Sequence, residues 1–378
     1  MEENLRIAGK ERPDVIGKVK NDNARHYDMI VFCHLRWQFV YQRPQHIISR
    51  MAREMNVLMV EEPLHFNEGE ENTANLIAVT PQLHILQPKV RNIEAIAGVL
   101  ADHVLNKDVS IGWFYSASFS PLLEALSFET IVYDCMDELS LFKGAPQQLI
   151  DQEKYLMANA DIVFTGGKSL YESKKEMHDN VYCFPSSVDE AHFAQARNGI
   201  AVPEDIASIK WPIIGYFGVI DERIDLDLVR ESAARLPDVS FVMIGPLAKI
   251  EDGDLPKARN IHYLGMKSYE ELPAYLKAFD IAMMPFALND ATKFISPTKT
   301  LEYMAAGKPI ISTRIKDVVR DYSHCVELVA TSEDFCNGIS KIRDLESGRS
   351  SHYTEILKNT SWDATAAKMN TIIKNFML

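Results

Sequence analysis

Ser296–Ile311 reads SPTKTLEYMAAGKPII, and the shape of the chain follows from it. Ser-Pro opens a helical TKTLEYMAA, Gly307 closes it, and Lys308-Pro309 leads into an apolar strand. Proline in the first turn and glycine just past the last are the expected start and stop of a helix. Its unpaired N–H groups favour an anion, with Ser296, Pro297, Thr298 and Lys299 crowded round them. Glu302 stands three residues after Lys299, on nearly the same helical face. A cation at the helix mouth and a carboxylate one turn in suit a nucleotide, Lys299 meeting phosphate and Glu302 accepting ribose hydroxyls. An ordinary surface lysine and glutamate on an amphipathic helix would show the same spacing.

Working outward, strand and helix patterns alternate twice over. Apolar runs predict strands at 28–33, 56–60, 84–86, 110–114, 130–133, 162–165 and 181–184, with helices between most of them. Asn198–Lys210 (NGIAVPEDIASIK) is punctuated by Gly199 and Pro203 and reads as a linker. The alternation then restarts at 213–217, 240–244, 260–263, 281–285, 309–312 and 326–329. This pattern predicts an α/β protein with two Rossmann-like, doubly wound parallel sheets and a cleft between them. The expected division is a polar arm over 1–26, a first domain over 27–200, a second over 201–360 and a final helix over 361–378.

Composition agrees. A chain of 378 residues suits two domains of roughly 150–200 residues each. The net charge of −13 argues against general nucleic-acid binding, which needs a basic face. Five scattered cysteines without C-x-x-C spacing read as reduced thiols rather than a disulfide frame or zinc site. The charged start, MEENLRIAGKERPD, has no apolar signal region, and no run approaches the roughly 20 apolar residues of a membrane span. The expectation is a cytoplasmic protein. Lys168–Lys175 (KSLYESKK) has some of the character of a peripheral contact with the inner face of the membrane, but a solvated helix face is the favoured reading.

Other candidates cluster at predicted strand ends. Gly218 follows the strand at 213–217, where glycine lets backbone approach a ligand, and Arg223 is a nearby cation suited to phosphate. Asp225-Leu226-Asp227 is formally a D-x-D, but it precedes a helix and reads as capping, so no metal is expected. Trp37–His46 (WQFVYQRPQH) follows the first strand. There Arg43 could grip an anion at a helix start while Trp37 and Tyr41 stack on sugar, and core packing explains the same residues. Asp134 and Asp137, in IVYDCMDELS, end another strand, where a carboxylate could deprotonate a hydroxyl or merely cap a helix. Lys293 in the loop PFALNDATKFISP offers a further phosphate or acceptor contact.

The segment Ser296–Ile311 resembles the donor-binding helix of GT-B-fold glycosyltransferases, and the resemblance covers nearly the whole chain, most strongly Trp211–Val319. It is nearest to family-4-like enzymes and to bacterial cell-surface polysaccharide glycosyltransferases, whose wording recurs in WQFVYQRPQH. The resemblance implies transfer from a nucleotide-diphosphate sugar, a UDP-sugar favoured, to a glycan or lipid-linked saccharide, with no cofactor and no metal. It implies donor contacts at Gly218, Arg223, Lys293, Ser296, Pro297, Thr298, Lys299 and Glu302, and acceptor contacts at Trp37, Tyr41, Gln42 and Arg43. Asp137 would be the base, supported by Asp134. Retaining members carry a second glutamate eight residues before the ribose-binding one. This chain has Phe294 there, which moves it toward the SPxKxxE pattern of some inverting enzymes. A GT-B-like epimerase or phosphorylase and a catalytically silent scaffold are the competing classes.

Overall fold

A computed structural model of the chain describes residues 16–18, 24–105, 108–344 and 349–378. The apolar runs become two mostly parallel sheets. In the first, the strand order is Ile16–Lys18, Thr73–Thr80, Leu83–Lys89, Val57–Glu61, Met29–Cys33, Asp108–Phe114, Ser127–Cys135, Ile162–Thr165 and Val181–Cys183. All neighbours from Leu83–Lys89 onward are parallel. Thr73–Thr80 and Ile16–Lys18 add an antiparallel edge that periodicity did not reveal. Ile16–Lys18 lies within the expected polar arm, so part of that arm is strand; the rest of 1–23 is outside the described residues.

The second sheet runs Ile261–Tyr263, Ser240–Ile244, Ile213–Phe217, Ile281–Met284, Ile310–Thr313 and Glu327–Val329, all parallel. In sequence order this is the doubly wound pattern 3-2-1-4-5-6, whose winding reverses between Ile213–Phe217 and Ile281–Met284. The first sheet reverses between Met29–Cys33 and Asp108–Phe114. Every residue of Met29–Cys33 and Ile213–Phe217 is buried, because helices cover both faces of each sheet. Ligands of such sheets bind beyond the strand ends at the reversal, so His34, Ser116, Gly218 and Pro285 mark the expected cleft.

The domain crossing differs from the expected linker. Val188, Phe193, Ala196, Ile206 and Ile209 are all buried in the second domain's core, so Asn198–Lys210 is part of that domain. The chain crosses at 184–188 instead. A second crossing lies beside it: Val188 N–H donates to Thr360 O at 2.8 Å, and Val188 pairs with Ser361. Glycine and proline there punctuate a packed segment, which local composition cannot distinguish from an exposed linker. Trp362–Phe376 then packs on the first domain. Trp362, Ala366, Met369 and Ile373 form an i, i+4, i+7, i+11 stripe buried in its core. Asp363 adds ion pairs to Arg50 (3.1 Å) and Arg53 (2.6 Å).

Candidate functional site

On the second domain the site is built round two glycines at strand ends. Gly218 has φ +138°, and a Cβ there would stand 2.2 Å from Lys299 Cε and 2.9 Å from the Tyr216 hydroxyl. Gly245, at φ +149°, lies against the Gly218 carbonyl, which a Cβ would meet at 1.8 Å. Only glycine at both places lets the lysine lie on the turn. Lys299 is half-buried, and burial lowers its pKa, while Glu302 pulls it back. Glu302 is 7% exposed, and burial pushes its carboxyl up to about 7 against the pull of Lys299. Among the described residues neither the ammonium nor the carboxylate has a hydrogen-bond partner. Both charges are partly withdrawn from water, which is costly, and neither is spent on a protein hydrogen bond, so the pair is available to a ligand.

Arg223 lies beside them but is partly committed. Asp221, buried, takes its Nε at 3.0 Å and its Nη2 at 2.7 Å in a fork. Asp225 caps the helix Leu226–Arg235, accepting Leu228 N–H at 2.8 Å, and Asp227 pairs with Arg230 at 2.7 Å. The D-x-D is therefore a helix start, as its position suggested. Ser296 and Thr298 face the crossing: Ser186 Oγ donates to Ser296 O at 2.8 Å and receives the Thr298 hydroxyl at 2.9 Å. Pro297 starts the turn, its carbonyl accepting Thr300 N–H at 3.2 Å. Lys293 is exposed, its ammonium 5.3 Å above the Phe294 ring. Phe294 itself packs on the first domain's core, filling with an apolar contact the place of the retaining acid.

The first domain corrects several expectations. Arg43 is buried with Asp134, donating from Nε at 3.1 Å and Nη2 at 2.8 Å, and its Nη1 reaches Phe184 O at 2.7 Å. It is therefore a scaffold for the crossing and has no free edge for an acceptor anion. Asp134, fully buried and fully engaged, is likewise removed from the catalytic set. Tyr41 stacks on Tyr269 of the second domain, with ring centroids 4.6 Å apart, rather than waiting for sugar. Trp37 packs against the core. Gln42 does reach the cleft while capping the helix Arg43–Met51. Trp113, Phe114 and Tyr115 are buried, so of that strand's end Ser116 and Ser118 meet the cleft.

Asp137 does line the cleft. It is half-buried in the cleft wall, and burial raises its pKa, with Asp221 adding to the rise and Arg223, Arg43 and Lys299 opposing it. A first-domain carboxylate thus feels the second-domain cations. The cleft holds about 620 Å³ and is lined by His34, Gln42 and Asp137 on one side and Asp221, Arg223 and Lys249 on the other. Lys299 sits behind Gly218, next to the wall residue Val219.

Sequence reading missed the loop that closes this cleft. Lys143 N–H donates to Glu222 Oε1 at 3.0 Å, and the Phe142 ring lies 5.5 Å from Arg223 Cζ and 5.1 Å from Lys249 Nζ. Lys249 adopts φ +58°, uncommon for a lysine, and is a second cation that no motif announced. Glycine-proline after the strand Ser240–Ile244 was the one available hint. Among the described residues no cluster of three metal-ligating side chains occurs and no helix is long and apolar enough to cross a membrane. In KSLYESKK, Lys168 pairs with Asp321 and Lys174 is buried between two glutamates, so the segment presents little free basic surface.

Residues 211–344 match the family described as glycosyl transferases group 1. The chain is 23% identical over 259 residues to the putative teichuronic acid biosynthesis glycosyltransferase TuaH of Bacillus subtilis (strain 168); the match covers 58% of this chain and 62% of that one. Its fold resembles sucrose-phosphate synthase from Thermosynechococcus elongatus, with a TM-score of 0.68 at 14% identity, covering 92% of this chain and 98% of the other. It also resembles a UDP-forming α,α-trehalose-phosphate synthase from Burkholderia xenovorans in complex with glucose-6-phosphate, with a TM-score of 0.68 at 10% identity, covering 92% and 99%. The fold over nearly the whole chain is thus the two-sheet GT-B fold of these enzymes, and the family match lies in its second half.

Proposed function

We propose that this protein moves a sugar from a nucleotide-diphosphate sugar to a glycan or lipid-linked saccharide acceptor in cell-surface polysaccharide synthesis, in the cytoplasm. The observation that carries the reading is the unbonded pair Lys299 and Glu302, held by Gly218 beside a cleft whose opposite wall presents Asp137. Glu302 would accept the ribose hydroxyls. Lys299 and Arg223 would take the charge of the leaving diphosphate, which is the work a metal does elsewhere, so the reaction is read as metal-independent. Asp137 would receive the acceptor's hydroxyl proton as its oxygen bonds to the sugar carbon and the bond to diphosphate breaks. A UDP-sugar is favoured by the UDP-forming structural relative, and the polysaccharide setting by the teichuronic acid relative.

Titration with UDP, GDP and ADP, first without metal and then with magnesium, tests the donor side. One nucleotide should bind without metal. Asp137→Asn should keep that binding and lose turnover by about 10²–10⁴-fold, the usual contribution of a general base. Absence of nucleotide binding at millimolar concentration would defeat the reading, and undiminished turnover in Asp137→Asn would remove Asp137 from it.

A further inference from the structure

The helix Lys168–Lys174 of the first domain makes buried polar contacts at both ends. At its start Asp317, a buried residue of the second domain, accepts the Ser169 N–H at 3.2 Å and also the Ser169 hydroxyl. Lys168 pairs with Asp321, and Glu172 with Lys316 (3.1 Å) and Arg320 (2.9 Å). The fit is tight: a Cβ on Gly167 would stand 2.8 Å from Asp317 Oδ2 and 2.9 Å from Ser296 Cβ.

At the other end Lys174 is 2% exposed, with its ammonium 2.7 Å from Glu138 and 2.8 Å from Glu153. Glu153 also accepts the Tyr133 hydroxyl at 2.7 Å, and Ser140 donates to Glu138 at 3.1 Å. One buried ammonium between two carboxylates is a poor way to gain stability, and its better-attested use is to specify an arrangement. What it fixes is Glu138, the residue after Asp137. Cys135 Sγ adds a weak bond to the Asp137 carbonyl oxygen at 3.6 Å.

We propose that the helix Lys168–Lys174 is a strut, set at one end by Asp317 and tied at the other through Lys174 to Glu138, that positions the Asp137 loop according to how the second domain is docked. The proposal rests on Asp137 as the base. Lys174, Glu138 and Asp317 are positioning residues in it, and the site is complete only when the domains are closed.

The test uses the full chain, three single variants and the double variant Glu138→Gln/Asp317→Asn. Glu138→Gln leaves Lys174 paired one-to-one with Glu153, and Glu153→Gln leaves it paired with Glu138, so both keep the buried lysine neutralised while only the first weakens the tether, from an ion pair to a neutral-acceptor hydrogen bond. Asp317→Asn loosens the far end. Hydrogen–deuterium exchange at residues 136–142 should rise severalfold in Glu138→Gln and in Asp317→Asn and stay at the wild-type level in Glu153→Gln. UDP release from UDP-glucose and UDP-N-acetylglucosamine should fall about tenfold in the first two variants, with KM for the sugar nucleotide within about twofold. The double variant should be no slower than either single, whereas independent distant sites multiply. Unchanged exchange at 136–142 in Asp317→Asn, unchanged release rates, or multiplying rate effects would each overturn the strut. If the wild type releases no UDP from either sugar, the choice of donor falls, and the exchange pattern alone decides the strut.

Discussion

Two charge pairs, one in each domain, are both withdrawn from water and differ in how the protein bonds them. Arg43 and Asp134 are 6% and 0% exposed, and the guanidinium is satisfied by the carboxylate and the Phe184 carbonyl. Lys299 and Glu302 are also withdrawn from water, yet neither side chain has a hydrogen-bond partner among the described residues. Burial does not tell structure from function here. Hydrogen-bond satisfaction separates them, because the protein itself closes the first pair while the second keeps its charges open to the cleft side, where we propose the donor binds.

The comparison can be broken most directly at Asp134. Asp134→Ala strands a buried arginine and should cost about 3–5 kcal/mol in denaturant unfolding. A loss below about 1 kcal/mol would show the pair to be dispensable.

Next comes the pH dependence of Glu302. Its folded carboxyl titrates at about 7, above its ordinary value, so the folded state disfavours the charge. Stability is therefore penalised as pH rises from about 4.5 to 7, and the penalty is complete above 7. Glu302→Gln should melt higher than the wild type at pH 8, by up to about 3 kcal/mol, with little difference below pH 4.5. An equal difference at both pH values would contradict the proposed burial.

Lys299→Ala should weaken nucleotide binding about 10–100-fold, the worth of a charged hydrogen bond to phosphate, while changing unfolding by less than about 1 kcal/mol. Calorimetric titration with the nucleotide selected above checks this. An affinity unchanged within twofold would return Lys299 to the status of an ordinary surface lysine. The smallest effect is expected at Lys293. Exposed and resting on Phe294, its change to alanine should alter stability by no more than about 0.5 kcal/mol and nucleotide affinity by no more than about twofold.

Much of the architecture was legible because its signals are local. Continuous apolar runs bounded by turn residues marked the parallel strands, and the Lys299–Glu302 spacing put both side chains on one helical face. Asp225 was readable as a cap from its place before the helix. The antiparallel edge was not legible, since Thr73–Thr80 exposes alternate side chains and gives only a weak strand pattern. Nor was the crossing, because Ile206 and Ile209, within the segment that looks like a linker, are anchored in the second domain's core by residues distant in the chain.

Sequence by itself determined the alternation of strand and helix, the two sheets it implies and the placing of Lys299 and Glu302 on one helical face, all set by periodicities and turn chemistry spanning a few residues. Tertiary structure decided the partners. Arg43 meets Asp134 across 91 positions, Tyr41 meets Tyr269, and Phe142 lies near both Arg223 and Lys249. Which buried charge finds a partner within the protein and which does not depends on groups distant in the chain, and only folding brings those within hydrogen-bond reach.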